Sequence, residues 1–147
     1  MHKNAPRLIP LSGQALPLSP DGSPPTDFTL IPAGPLTTVY GTFDWTARSA
    51  KSVAAQWAKR NRRFMWDYEH FSTAKDKDGK PITDTHARRA AGNATPLADP
   101  SGFHMRSQSW TPDAAGYISK QEYLYYSPVI AVDEETNEII DVLKSAL

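Results

Sequence analysis

Proline is the feature that most restricts this chain. Pro6, Pro10, Pro17, Pro20, Pro24, Pro25, Pro32 and Pro35 fall so close together that no helix can run through the first 35 residues. Residues 1–25 therefore read as an extended arm or a disordered leader. The domain proper is expected over 26–147. Within it, "TDFTLIPAG" predicts a first strand with a turn at Ala33-Gly34, and Pro32 suggests an edge or a bulge. "TVYGTFDW" predicts a short extended piece.

The clearest helix follows. Thr46 is a plausible N-cap for "ARSAKSVAAQWAKRNRR", which carries Ala47, Ala50, Ala54, Trp57 and Ala58 at helical spacing. Its basic end (Lys59, Arg60, Arg62, Arg63) suits the helix dipole and reads as a solvated face. "RFMWDYEH" predicts a strand with Phe64, Trp66, Tyr68 and His70 on one face and Met65, Asp67 and Glu69 on the other. Residues 72–89 read as a polar loop turning at Asp78-Gly79. "AAGNATPLADPSGFHMRSQSW" predicts a hairpin about its "DPSG" turn. Thr111 and Pro112 open a short helix. "YLYYSPVIAVD" is a strong strand, "EETN" its turn, and "EIIDVLKSAL" a further strand or a helix start. The sum is an α+β domain, a β-rich barrel-like sheet of roughly six or seven strands flanked by helices.

Composition excludes several chemistries. The chain is 147 residues, about one domain, and contains no cysteine, so disulfides, zinc–thiolate sites and thiol nucleophiles are out. Lys+Arg and Asp+Glu are equal at 16 each, which argues against a generic nucleic-acid or membrane-surface binder. No apolar run approaches the roughly 20 residues of a membrane span, and no signal-peptide core precedes the domain. A soluble intracellular protein is the expectation. No metal-ligand spacing occurs, and no cofactor is implied.

Among nucleophile candidates, Ser127 interrupts a run of large β-formers and is followed directly by Pro128, which forces extended geometry and removes a ladder donor. The plain reading is a bulge or edge at Pro128; the sharper one is a hydroxyl exposed where a substrate strand could lie. Of four histidines, His2 lies in the arm, His86 in the polar loop, and His104 reads as an exposed strand residue. His70 ends an aromatic strand beside two carboxylates; alone, it reads as a hydrogen-bonded structural histidine.

Taken together, "DYEH", a polar loop, "AAG", "GFHMRSQSWTPDAAGYI" and "EYLYYSPVI" with an acidic turn and "IIDVL" resemble, in order, the phage Mu I-protein family over about residues 28–147. Phe71, Asn93 and Ile130 depart from its pattern, which often has Gln, Trp and Phe there. The family's C-terminal scaffold-like region is absent from this chain. The resemblance implies a serine endopeptidase of the prohead-protease type, similar in architecture to herpesvirus assemblin, with Ser127 as nucleophile and His70 as general base, 57 residues apart. It implies cleavage of scaffold, and of its own C-terminal region, during capsid maturation. Scaffold and capsid proteins would be its partners, a homodimer is possible, and no nucleic acid or membrane is involved. The place would be the bacterial host cytoplasm, inside the assembling prohead. For the group that orients His70, alternation turns Asp67 and Glu69 away, while Asp133, Glu134, Glu138 or Asp141 would serve if the last segments fold back. The alternative function is a catalytically inactive capsid-assembly or scaffold-binding module.

Overall fold

In the computed structural model, residues 6–11, 14–60, 63–68 and 90–147 are described. The strands are β1 (Arg7–Pro10), β2 (Gln14–Ala15), β3 (Phe28–Pro32), β4 (Gly34–Thr38), β5 (Gly41–Trp45), β6 (Phe64–Asp67), β7 (Gly92–Asp99), β8 (Gly102–Trp110), β9 (Tyr125–Val132) and β10 (Ile139–Ala146). The helices are α1 (Ala47–Lys59) and α2 (Pro112–Ser119). The main sheet runs β1-β9-β10-β6-β7-β8-β3 and curls into a half-barrel; β2 adds to β9, and β4–β5 is a separate hairpin. Every pairing in the main sheet is antiparallel except β10 with β6. The expected α+β, barrel-like sheet flanked by helices is what forms.

Local chemistry explains the elements. Thr46 caps α1 through a reciprocal box: its hydroxyl accepts from the Ser49 N–H, and the Ser49 hydroxyl accepts from the Thr46 N–H. Trp57 then enters the core, its ring 5.4 Å from Phe64, while its indole N–H donates to the Val142 carbonyl at 3.0 Å. The basic end of α1 does more than face water. Arg60 lies 4.7 Å over the Trp57 ring and forks onto Asp141, at 3.0 and 2.5 Å. Thr111 caps α2, with Pro112 in the first turn.

The core is aromatic. Trp66 meets Phe28, Phe64, Trp110 and Tyr126 at centroid distances of 5.0–6.2 Å. At the exit of β6, Tyr68 forms a trio with Tyr117 of α2 and Tyr123, all separations 5.7–6.1 Å. This trio fixes the exit of β6 against α2.

The described part of the proline-rich arm is extended and packed. β1 pairs with β9, and Ile9, Leu11 and Leu16 are buried in the core. Proline forbids helix there but leaves an edge strand open. The region read as one extended piece is a hairpin, β4–β5, connected through Val39-Tyr40.

Candidate functional site

Ser127 lies in β9, between β1 on one side and β10 on the other. It is half-buried, and its hydroxyl donates to the Leu11 carbonyl. The strand is therefore not an edge: the arm covers it. Register fixes what shares a face with this hydroxyl. Ser127 pairs with Ala146, and Ala146 pairs with Asp67 across the parallel ladder. Directly paired residues project to the same side of a sheet. Ser127, Ala146 and Asp67 thus form one row, on the face opposite Trp66 and Tyr126.

Asp67 is buried and receives the Lys144 ammonium at 2.7 Å; the two side chains are 5% and 15% exposed. Lys144 pairs with Val129, two positions along from Ala146, so the ion pair sits on the same face as Ser127. The alternation read from the sequence holds through β6 and on to Tyr68, with Phe64, Trp66 and Tyr68 in the core. What alternation could not supply is the facing of Ser127 relative to that strand, and it is the Asp67 side that Ser127 shares.

The other acids lie elsewhere. Asp133 and Glu138 both pair with Arg48, at 3.0 and 2.9 Å, at the far end of the β9–β10 hairpin. Val132 is five residues beyond Ser127, or about 17 Å at strand rise. Glu134 is exposed in that turn. The Arg48 and Thr46 contacts hold Glu138 below the usual carboxylate range, the Thr46 hydroxyl contributing most. Asp133 is lowered too, first by the Glu135 N–H and then by Arg48. Asp141 is held by Arg60. His70, Glu69, His86 and the loop 72–89 lie outside the described residues, as does His2.

His104 is a correction. Strand alternation predicts an exposed residue, yet it is buried, with Nδ1 2.9 Å from the Thr29 hydroxyl and Nε2 2.9 Å from Ser101 Oγ and 3.1 Å from Asp99 Oδ1. Serine and aspartate meet the same ring nitrogen, and the Ser101 hydroxyl itself lies 2.5 Å from Asp99. That geometry locks the β7–β8 turn rather than activating a nucleophile. The legible signal was the Asp-Pro-Ser-Gly turn, whose Asp99 also accepts the Ser101 N–H at 2.8 Å.

No group of three or more histidines or carboxylates suited to a metal occurs among the described residues, and no described helix is long and apolar enough to cross a membrane.

Fold and site together define a curled half-barrel domain with a serine hydroxyl on a covered interior strand, beside a buried carboxylate–ammonium pair. Residues 28–147 match the model of the Mu-like prophage I protein N-terminal domain, and the chain belongs to that family. No curated protein and no solved structure gives a significant match.

Proposed function

We propose that this chain is a serine endopeptidase of a Mu-like phage or prophage, cutting scaffold, and the C-terminal region of its own family's full chain, within the assembling prohead. The observation that carries the proposal is the family match, which spans both Ser127 and His70. The register supports it. Ser127 lies two strand spacings, about 10 Å, from Asp67 across Ala146. His70 follows Asp67 by three residues, a reach of at most about 11 Å.

In this reading the His70 imidazole accepts the Ser127 proton as the hydroxyl oxygen attacks the scissile carbonyl, then gives that proton to the leaving amine. Asp67, the acid in the Ser127 row, takes the orienting role. Lys144 positions Asp67 through their 2.7 Å ion pair.

Co-expression of the family's full-length protein with its scaffold tests the proposal. Shortened scaffold is expected with the wild type. Ser127→Ala and His70→Ala should abolish it while the fold, read by circular dichroism, is kept. Undiminished processing by Ser127→Ala refutes the assignment. One observation favours the second reading, an inactive assembly module: the Ser127 hydroxyl is engaged by the Leu11 carbonyl, as a purely structural serine would be. The same experiment separates the two.

A further inference from the structure

The arm follows β9 as a bound peptide would. From Arg7 opposite Val132 to Pro10 opposite Val129 it makes an antiparallel ladder. The Leu11 N–H then donates to the Pro128 carbonyl at 2.8 Å, and the Leu11 carbonyl accepts from Ser127. Past Ser127 the pairing resumes, with Gln14 opposite Tyr126 and Ala15 opposite Tyr125, and the Leu16 N–H on the Leu124 carbonyl at 2.8 Å. Backbone bonds on both sides of a hydroxyl, with alternate side chains in pockets, are the pattern of strand addition. Ile9 and Leu11 fill the inward positions at 1% exposure each, while Leu8 and Pro10 face outward. A cleft of about 300 Å³ opens beside Pro10 and Leu11, walled by Thr37, Thr38 and Val39 of the β4–β5 hairpin.

The resident strand is not in a reacting pose. The Leu11 carbonyl accepts from the Ser127 hydroxyl through its oxygen, whereas a carbonyl under attack meets the nucleophile's lone pair at its carbon.

We propose that Arg7–Leu11 occupies the peptide site of Ser127. The peptide this site takes is an extended segment with aliphatic side chains at the residue whose carbonyl meets Ser127 and at the residue two before it. This rests on Ser127 being the nucleophile proposed above. A substrate enters by exchanging for the arm, so the arm sets both access and specificity.

The chain has no cysteine, so a Pro10→Cys/Val129→Cys pair forms a single possible disulfide. The two positions are directly opposed and outside the core, at a spacing a disulfide accepts. Oxidation locks the arm in its own place; reductant frees it. The probe is a fluorescein-labelled Pro6–Leu16 peptide. The reduced protein should bind it, the oxidised protein about tenfold or more weakly, because the cross-linked arm can no longer leave the site, whereas the reduced arm competes only as a chain-tethered segment. The same peptide with aspartate at both aliphatic positions should not bind. Equal binding by both forms, or none by the reduced form, overturns the inference. Scaffold processing, scored in parallel, keeps the two ideas apart. Peptide bound but scaffold uncut upholds the peptide site and removes the catalytic reading. Scaffold cut equally by the oxidised form removes the arm's role and leaves the protease.

Discussion

Replacing Lys144 with methionine isolates the ion pair on the Ser127 face of the sheet. Its ammonium lies 2.7 Å from Asp67 Oδ2, with the carboxylate side chain 5% and the lysine 15% exposed. Removing one partner of a buried pair costs about 3–5 kcal/mol, because the remaining charge stays in a poor solvent for ions. The partial exposure of Lys144 puts the expected loss near the lower figure, about 3 kcal/mol. Against a total of about 5–15 kcal/mol this is a large fraction. For a chain of this size it lowers the melting temperature by roughly 10 °C. Urea unfolding at neutral pH, followed by tryptophan fluorescence, measures it; Trp66 is adjacent to Asp67. The double variant Asp67→Leu/Lys144→Met should return to within about 1 kcal/mol of wild type, since an apolar pair of similar volume replaces two buried charges. Scaffold processing should fall in the Lys144→Met protein and stay low in the double variant, which lacks Asp67. A Lys144→Met loss below about 1 kcal/mol, or a double variant as unstable as the two singles added, refutes the reasoning that this pair is coupled and shielded from water.

Tyr126 is pushed up to about 12 by burial, and its phenol donates to the Leu30 carbonyl at 2.9 Å. The fold prefers the neutral phenol, so stability is intact below about pH 10 and is lost as pH rises from there towards 12; Tyr126→Phe should flatten that alkaline limb and cost about 1 kcal/mol at neutral pH, measured by urea titration. Glu138 is lowered by the Thr46 hydroxyl and Arg48, so its stabilisation is present above its ordinary 4.5 and fades as pH falls through the folded value. Glu138→Gln should therefore shrink the acid-side drop in the urea midpoint; an unchanged acid limb counts against the Thr46–Glu138–Arg48 link. A Cβ on Gly92 would sit 2.2 Å from the Ser109 carbonyl oxygen, so Gly92→Ala should cost about 3 kcal/mol by thermal unfolding, and a neutral result contradicts the close approach of β7 and β8 there.

Local grammar carried much of the fold. The Thr46 cap, the Pro112 helix start, the "DPSG" hairpin and the β9 run are each set by residues within a few positions of one another, and each forms where the sequence puts it. The β4–β5 turn at Val39-Tyr40 lacks the Asn-Gly or Asp-Gly signal of tight hairpins and was invisible for that reason. The arm shows where local reasoning ends: proline ruled out helix, but the burial of Ile9 and Leu11 depends on β9, more than a hundred residues later. Asp67 makes the same point for the site. Alternation orders side chains along one strand, while the facing of Ser127 relative to Asp67 is set by the registers of β9 with β10 and of β10 with β6. The burial of His104 is not legible locally because its partners, Thr29 and Asp99, reach it from the two strands beside it.

The parallel contact between β10 and β6 also dictates timing. In the sheet order β9 and β6 are separated by β10, which follows both of them along the chain. A nascent chain halted before Ile139 holds Ser127 and Asp67 but has nothing to seat them side by side. Translation itself thus withholds the assembled row until Ala146 has cleared the ribosome, and a polypeptide released early is born without it.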